Sequence, residues 1–319
     1  MKRLIALMLP IVSILWAGTP VLSQEVPPAW AYPVNPPEFK HPADDGTPRK
    51  VPNSALTLTL TQVHDHFYSP DWHPEDHPPQ PEVVARGRKP EVFACGFCHR
   101  ADGSGGPENA NLMGLPAAYI TQQMADFKSG ARKSSMMGRM GMMMKTRLSK
   151  AATDQEIALA AAYFASVKPR ATIRVVESEM VPKTVVATSV LVVAASGGTE
   201  PIGERIIEIA DDLKRVVSRD AHMTFTAYVP IGSIQKGRDL TAGKGGAVPC
   251  GMCHGADLKG TGDIPGIAGK SPTYIFRQLY DYKHGHRAGP ASAAMMPSVE
   301  KLTTNDMIAL SAYAGSLAP

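Results

Sequence analysis

Two pentapeptides, Cys95-Gly96-Phe97-Cys98-His99 and Cys250-Gly251-Met252-Cys253-His254, contain all four cysteines of the chain. A Cys-x-x-Cys-His run is the attachment signature of c-type haem. Two thiols three positions apart on one helical turn reach neighbouring vinyl groups of the porphyrin, and the next residue points its imidazole at the iron. One such run standing alone also fits a zinc half-site or a redox dithiol. The surroundings of each copy decide between these chemistries.

Those surroundings repeat. Counting from each His, both copies place Gly at +15 (Gly114, Gly269), Tyr at +20 (Tyr119, Tyr274) and Gln at +24 (Gln123, Gln278). An aromatic residue and Lys follow at +28 and +29 (Phe127-Lys128, Tyr282-Lys283), then Gly at +31 and Arg at +33 (Gly130, Arg132; Gly285, Arg287). Agreement at one fixed offset marks an internal duplication, and a period of 155 residues makes the units domains rather than solenoid repeats. A Met-containing loop and a closing helix end each unit, the helices leading to Tyr163 and Tyr313.

In these motifs the chain resembles the tandem two-haem class I cytochrome c family, over roughly 81–168 and 231–319. The resemblance, which does not cover 24–80 or 170–230, implies a mainly α fold with two class I cytochrome c domains, here 81–169 and 231–319; the segment between them reads from its own β-branched residues as a small strand-rich insert over 170–230. An extended Pro/His-rich N-terminal arm over 24–80 precedes them. It also implies two covalently attached haem c groups, through Cys95 and Cys98 in the first domain and Cys250 and Cys253 in the second. His99 and His254 become the proximal iron ligands. Because each pair of thiols has its own full set of haem-domain residues, a four-cysteine zinc site and a dithiol oxidoreductase are both disfavoured.

The sixth ligand is expected to be a thioether, which favours reduced iron. Met295, seven residues before Leu302, has the family spacing, with Met296 as the alternative. The His-to-Tyr interval is 64 residues in the first half and 59 in the second, so mapping Met295 back across a five-residue insertion lands between 140 and 145. Met144 is the first choice and Met140 the second; the other methionines of this cluster serve as adaptable packing or a partner surface. Pro265 is expected to accept the Nδ1 proton of His254 and so fix its tautomer. Ala110 holds that offset in the first half, where the role is free to shift. Arg132 and Arg287 either pair with haem propionates or are exposed surface residues.

The rest of the chain sets the context. A length of 319 residues accommodates two domains and their connections, and 28 Pro with 28 Gly indicate many loops. The formal charge of +4, which falls to +2 without Lys2 and Arg3, is too weak to argue for nucleic acid. Residues 1–23 read as a signal peptide, with a basic start, an apolar run and small residues before Gln24. Pro10, Thr19 and Pro20 interrupt that run short of the ~20 apolar residues a membrane anchor needs. The expected location is the periplasm.

In the arm, Leu56 to Thr61 alternates apolar and polar and predicts one short strand, most economically paired with the insert. Four histidines follow: His64, His66, His73 and His77. Imidazoles among carboxylates suit a metal, but the spacing matches no standard zinc pattern. A turn packed on the first haem domain is the structural alternative. A short helix is expected around 81–88, broken at Pro90. The insert's runs of β-branched residues predict strands near 172–176, 184–193, 205–209 and 224–229.

Two six-coordinate irons leave no open position for substrate, so the expected role is single-electron transfer between a redox protein donor and acceptor. A haem enzyme, such as a thiosulfate dehydrogenase or a peroxidase with one reactive iron, is the alternative. A cytochrome subunit of a membrane dehydrogenase or oxidase complex differs from the carrier only in its partners.

Overall fold

The computed structural model describes residues 26–135 and 147–319. The leader expected over 1–23 and the methionine cluster with Met140 and Met144 lie outside the described residues. The first haem-type unit contains α1 (Cys95–His99), α2 (Ala117–Ser129) and α3 (Asp154–Ser166), after a single helical turn at Glu82–Ala85. The second contains α5 (Ser233–Thr241), α6 (Gly251–His254), α7 (Pro272–Lys283) and α8 (Thr304–Ser316). Seven strands and α4 (Leu213–Val217) lie between them.

The duplication extends to the devices that shape each unit. Helices α3 and α8 both open with a capping box: Thr153 accepts from the Glu156 amide (3.1 Å), and the Glu156 carboxylate accepts from the Thr153 amide (2.8 Å). Thr303 and Asp306 repeat this at 3.1 and 2.9 Å. Gly114 and Gly269 donate from their amides to Phe164 and Ala314, both at 2.9 Å, and both have φ of +66°. A Cβ there would lie 2.6 Å from Pro169 or 2.8 Å from Pro319, so the left-handed turn and the close approach both require glycine. At the crossing of α5 and α8, a Cβ on Gly237 would lie 2.0 Å from the Ala309 carbonyl oxygen.

The insert strands are β1 (Ile173–Glu177), β2 (Met180–Pro182), β3 (Thr184–Ala187), β4 (Val190–Val193), β5 (Thr199–Pro201), β6 (Ile207–Ala210) and β7 (Phe225–Val229). Five form a mixed sheet in the order β1-β7-β6-β4-β3, and β2 pairs with β5. β1–β7 and β4–β6 are parallel, while β6–β7 and β3–β4 are antiparallel. The sheet is not an independent domain. Ile206, Ala227 and Val229 share one core with Phe276, Tyr280, Met307 and Ile308 of the second haem unit and with Ala31 and Tyr32 of the arm. β6 is buried along its whole length, and its Glu208 carboxylate accepts from the Ser271 hydroxyl (2.8 Å) and the Thr273 amide (3.1 Å) at the start of α7.

The strand expected at Leu56–Thr61 is not formed. Leu58 makes only an isolated antiparallel bridge with Arg49, and a helical turn runs from Leu60 to Val63. Thr59 and Gln62 build a capping box there, so local side-chain-to-backbone bonds override the alternating pattern. The arm does meet the insert, through side chains rather than a β-ladder: Trp72 donates from Nε1 to the Ser218 carbonyl (2.8 Å).

Candidate functional site

The two pentapeptides form the short helices α1 and α6, which bring the thiols of each onto one turn. His99 donates from Nδ1 to the Ala110 carbonyl (2.9 Å), and His254 donates from Nδ1 to the Pro265 carbonyl (2.8 Å). The role expected of Pro265 therefore does not shift in the first half. Only a backbone carbonyl is needed, and Ala110 supplies one as well as proline. With Nδ1 committed as the donor, Nε2 holds the lone pair, the tautomer an iron ligand requires. Burial lowers the pKa of both imidazoles and favours that neutral form.

The amides of Gly105 and Gly260 then close each loop on the His99 and His254 carbonyls, at 2.8 and 2.7 Å. Burial pushes the Cys95 thiol up to about 12 and raises Cys250 as well. That is opposite to the depressed thiol a redox dithiol needs. Two thiols on one turn, a neutral imidazole with Nε2 available and apolar walls such as Val84, Met113 and Phe164 fit a covalent haem. Among the described residues the thiols join no metal-type cluster.

Arg132 and Arg287 are not isolated surface residues. Arg132 donates to Gln123 of its own unit (2.9 Å) and to Gln278 (2.9 Å) and the Tyr274 hydroxyl (3.3 Å) of the other. Arg287 mirrors this, donating to Gln278 (3.1 Å), Gln123 (2.7 Å) and the Tyr119 hydroxyl (3.3 Å). An antiparallel backbone bridge joins the two arginines themselves. The Tyr, Gln and Arg that mark the repeat thus interlock across the interface. Burial would raise the Tyr119 phenol, but the guanidiniums of Arg287 and Arg132 outweigh it and bring it below its usual value.

Of the arm histidines, His73 bonds the buried Asp220 (2.9 Å), and His222 bonds Asp76. His73, Asp220 and His222 are the one cluster among the described residues with ligand spacing for a metal. The two imidazoles are stacked face to face, 3.6 Å apart and 6° from parallel. Lone pairs in parallel planes do not converge on one ion, and Arg215 takes the second oxygen of Asp220. The cluster fastens arm to insert, whereas the turn was expected to pack on the first haem domain. His77 does face that domain, with its ring edge-on to Tyr163 (5.9 Å).

Met295 stands between the 3-10 turn Pro290–Ala294 and the helical turn Met296–Val299. Both Met295 and Met296 are partly buried against the second unit's core. Sequence reasoning missed Arg219, whose guanidinium lies 3.6 Å from the Phe97 ring and donates to the Phe97 carbonyl (2.7 Å). The contact spans 122 positions from a segment outside the repeat, so no local signal marks it.

Two duplicated units, each holding a Cys-x-x-Cys-His turn with its imidazole set for iron, define a tandem two-haem c-type cytochrome with two covalent haem c groups. Residues 84–168 and 235–318 each match the cytochrome c family, and the chain belongs to it. It is 27% identical over 227 residues to cytochrome c4 of Pseudomonas aeruginosa, covering 70% of this chain and 83% of that protein. It is 24% identical over 217 residues to the thiosulfate dehydrogenase electron acceptor of Thiomonas intermedia, covering 67% and 74% respectively. The reduced recombinant cytochrome c4 structure from Pseudomonas stutzeri aligns at 22% identity with a TM-score of 0.44, covering 70% of this chain and 93% of that one.

Proposed function

We propose that this protein is an exported carrier that passes single electrons between redox protein partners. Cys95 and Cys98 attach the first haem and Cys250 and Cys253 the second. His99 and His254 are the proximal ligands. Met144 and Met295 are the sixth ligands, ahead of Met140 and Met296. The haem supplies the one-electron chemistry; the chain fixes the imidazoles, excludes water and sets access.

The observation that carries this reading is the identity of the two proximal sites. Both bond Nδ1 to a backbone carbonyl eleven residues on, so neither half is specialised on that side as a separate reaction centre. The domains run over 81–169 and 231–319, with the insert at 170–230 and the arm at 24–80. The donor and acceptor are redox proteins, a membrane dehydrogenase or oxidase complex among them; the similarity to the Thiomonas thiosulfate dehydrogenase electron acceptor supports such a pairing. Cleavage of 1–23 delivers the chain to the periplasm, and no helix among the described residues is long and apolar enough to cross a membrane.

Rapid mixing of the ferric, haem-loaded protein with cyanide tests the carrier role. Slow binding at both irons, limited by displacement of a protein ligand, is expected. Binding at one iron as fast as at an open site points instead to a haem enzyme of the thiosulfate dehydrogenase or peroxidase kind.

A further inference from the structure

A cavity of ≈ 890 Å³ opens beside Cys98, closed over by the arm and the insert. Arg100, Arg147 and Arg219 line it with His64 and His66, and Glu108 is the one acidic side chain in its described wall. Arg100 is 2% exposed and donates to Glu108 (3.0 Å) and to the Cys98 carbonyl (3.3 Å). Arg219 lies against Phe97 as described above. One carboxylate thus faces two inner guanidiniums; the Nε groups of Arg100 and Arg219 are buried with no partner among the described residues, and so is Oε2 of Glu108, so two donors are unmet against one carboxylate oxygen.

A buried donor left without an acceptor is destabilising, so this wall is incomplete as it stands. The described wall includes Cys98 but neither Cys95 nor His99, which sets this cavity apart from the place where the first haem would be held.

We propose that this cavity binds a small inorganic oxyanion, of the sulfate class, between Arg219 and Arg100 at the thioether side of the first haem. Planar guanidinium forks match the paired oxygens of such an anion. The site occurs once. In the second unit Gly255 stands where Arg100 does, and the counterpart of Glu108, Asp263, is exposed. An anion held there favours the ferric state of the first haem over the ferrous. The proposal stands whether the protein is a carrier or an enzyme.

The test is calorimetric titration of the two-haem protein with sodium sulfate, at an ionic strength held constant with sodium chloride. One saturable site per chain is expected. Arg219→Ala should weaken it at least ~10-fold, the loss of one charge-assisted pair. Arg147, exposed at the cavity wall, stacks on Phe93 and donates to the Pro90 carbonyl, so its loss leaves the Arg100–Glu108 pair and Arg219 in place; Arg147→Ala should weaken binding by about threefold. In an optical redox titration, sulfate should shift one haem to lower potential and leave the other in place. Absence of a saturable site, affinity unchanged in both variants, or an equal shift of both haems would each overturn the proposal.

Discussion

Phe97 and Met252 occupy the same place in the two attachment pentapeptides, yet Phe97 is 5% exposed and Met252 is 76% exposed. Their neighbours follow suit. Phe93 is buried, and its counterpart Val248 is 38% exposed. Around Phe97 the cover comes from His66 of the arm, 4.6 Å away, and from Arg219 of the insert. The insert shares its core with the second unit but closes over the attachment turn of the first. Duplication therefore reproduced the chemistry of the sites, while the two unduplicated segments set which site faces solvent. Val248, Met252 and Ile264 are exposed in the second unit, whereas the arm and insert cover the attachment turn of the first.

The largest effect that would break this contrast is Phe97→Ala. Losing a buried aromatic held between His66 and Arg219 should cost about 4 kcal/mol in denaturant unfolding of the loaded protein. A near-neutral result would mean that the cover does not close on the first site.

Arg287→Ala should cost about 3 kcal/mol. It removes the donor to the Tyr119 hydroxyl and one of the two guanidiniums on Gln123, and should split thermal unfolding into two transitions; one unchanged transition would show that the crossed arginines do not couple the units.

A pH series tests the same interface. Lys270 donates to Asn111 (2.9 Å) and to the Met113 carbonyl (3.3 Å) of the first unit, and burial pushes its ammonium down from 10.5 to about 7. Its folded pKa is below the unfolded one, so between these values the unfolded chain holds the extra proton. Stability should rise as pH rises from about 7 to about 10.5. Lys270→Met should flatten that rise, and an identical pH profile in the variant would exclude this lysine as its source.

The smallest effect belongs to Met252→Ala, which should change stability by less than about 0.5 kcal/mol. A loss near that of Phe97→Ala would show the second site to be covered as well.

The Cys-x-x-Cys-His turns, the bond from His254 to the Pro265 carbonyl and the duplicated helices were legible in the sequence because each rests on local spacing. The fixed-offset Tyr, Gln and Arg were legible as a repeat. Their crossing was not, because Arg132 reaches Gln278 over 146 positions and no pattern within one repeat encodes a partner in the other. Five of the insert's strands fall in the four β-branched runs, with 184–193 split into β3 and β4, but β2 and β5 were not read, and neither was the mixed order, since β1 pairs with β7 from the far end of the segment. At Leu56–Thr61 the period-two pattern misled, because Thr59 and Gln62 can cap a helix whatever the alternation around them. His73 looked like a metal-ligand candidate or a turn residue, and its partner Asp220 lies 147 positions away.

The central claim is that two haems, each with a methionine sixth ligand, serve as electron stores in differently covered domains. A potentiometric titration of the haem-loaded protein, followed by optical and paramagnetic resonance spectra, tests it most directly. The account expects two low-spin haems with methionine signatures, titrating in separate one-electron steps, with Met295→Ala and Met144→Ala each removing one signature. A high-spin haem in the native protein, or both signatures surviving both substitutions, would contradict it.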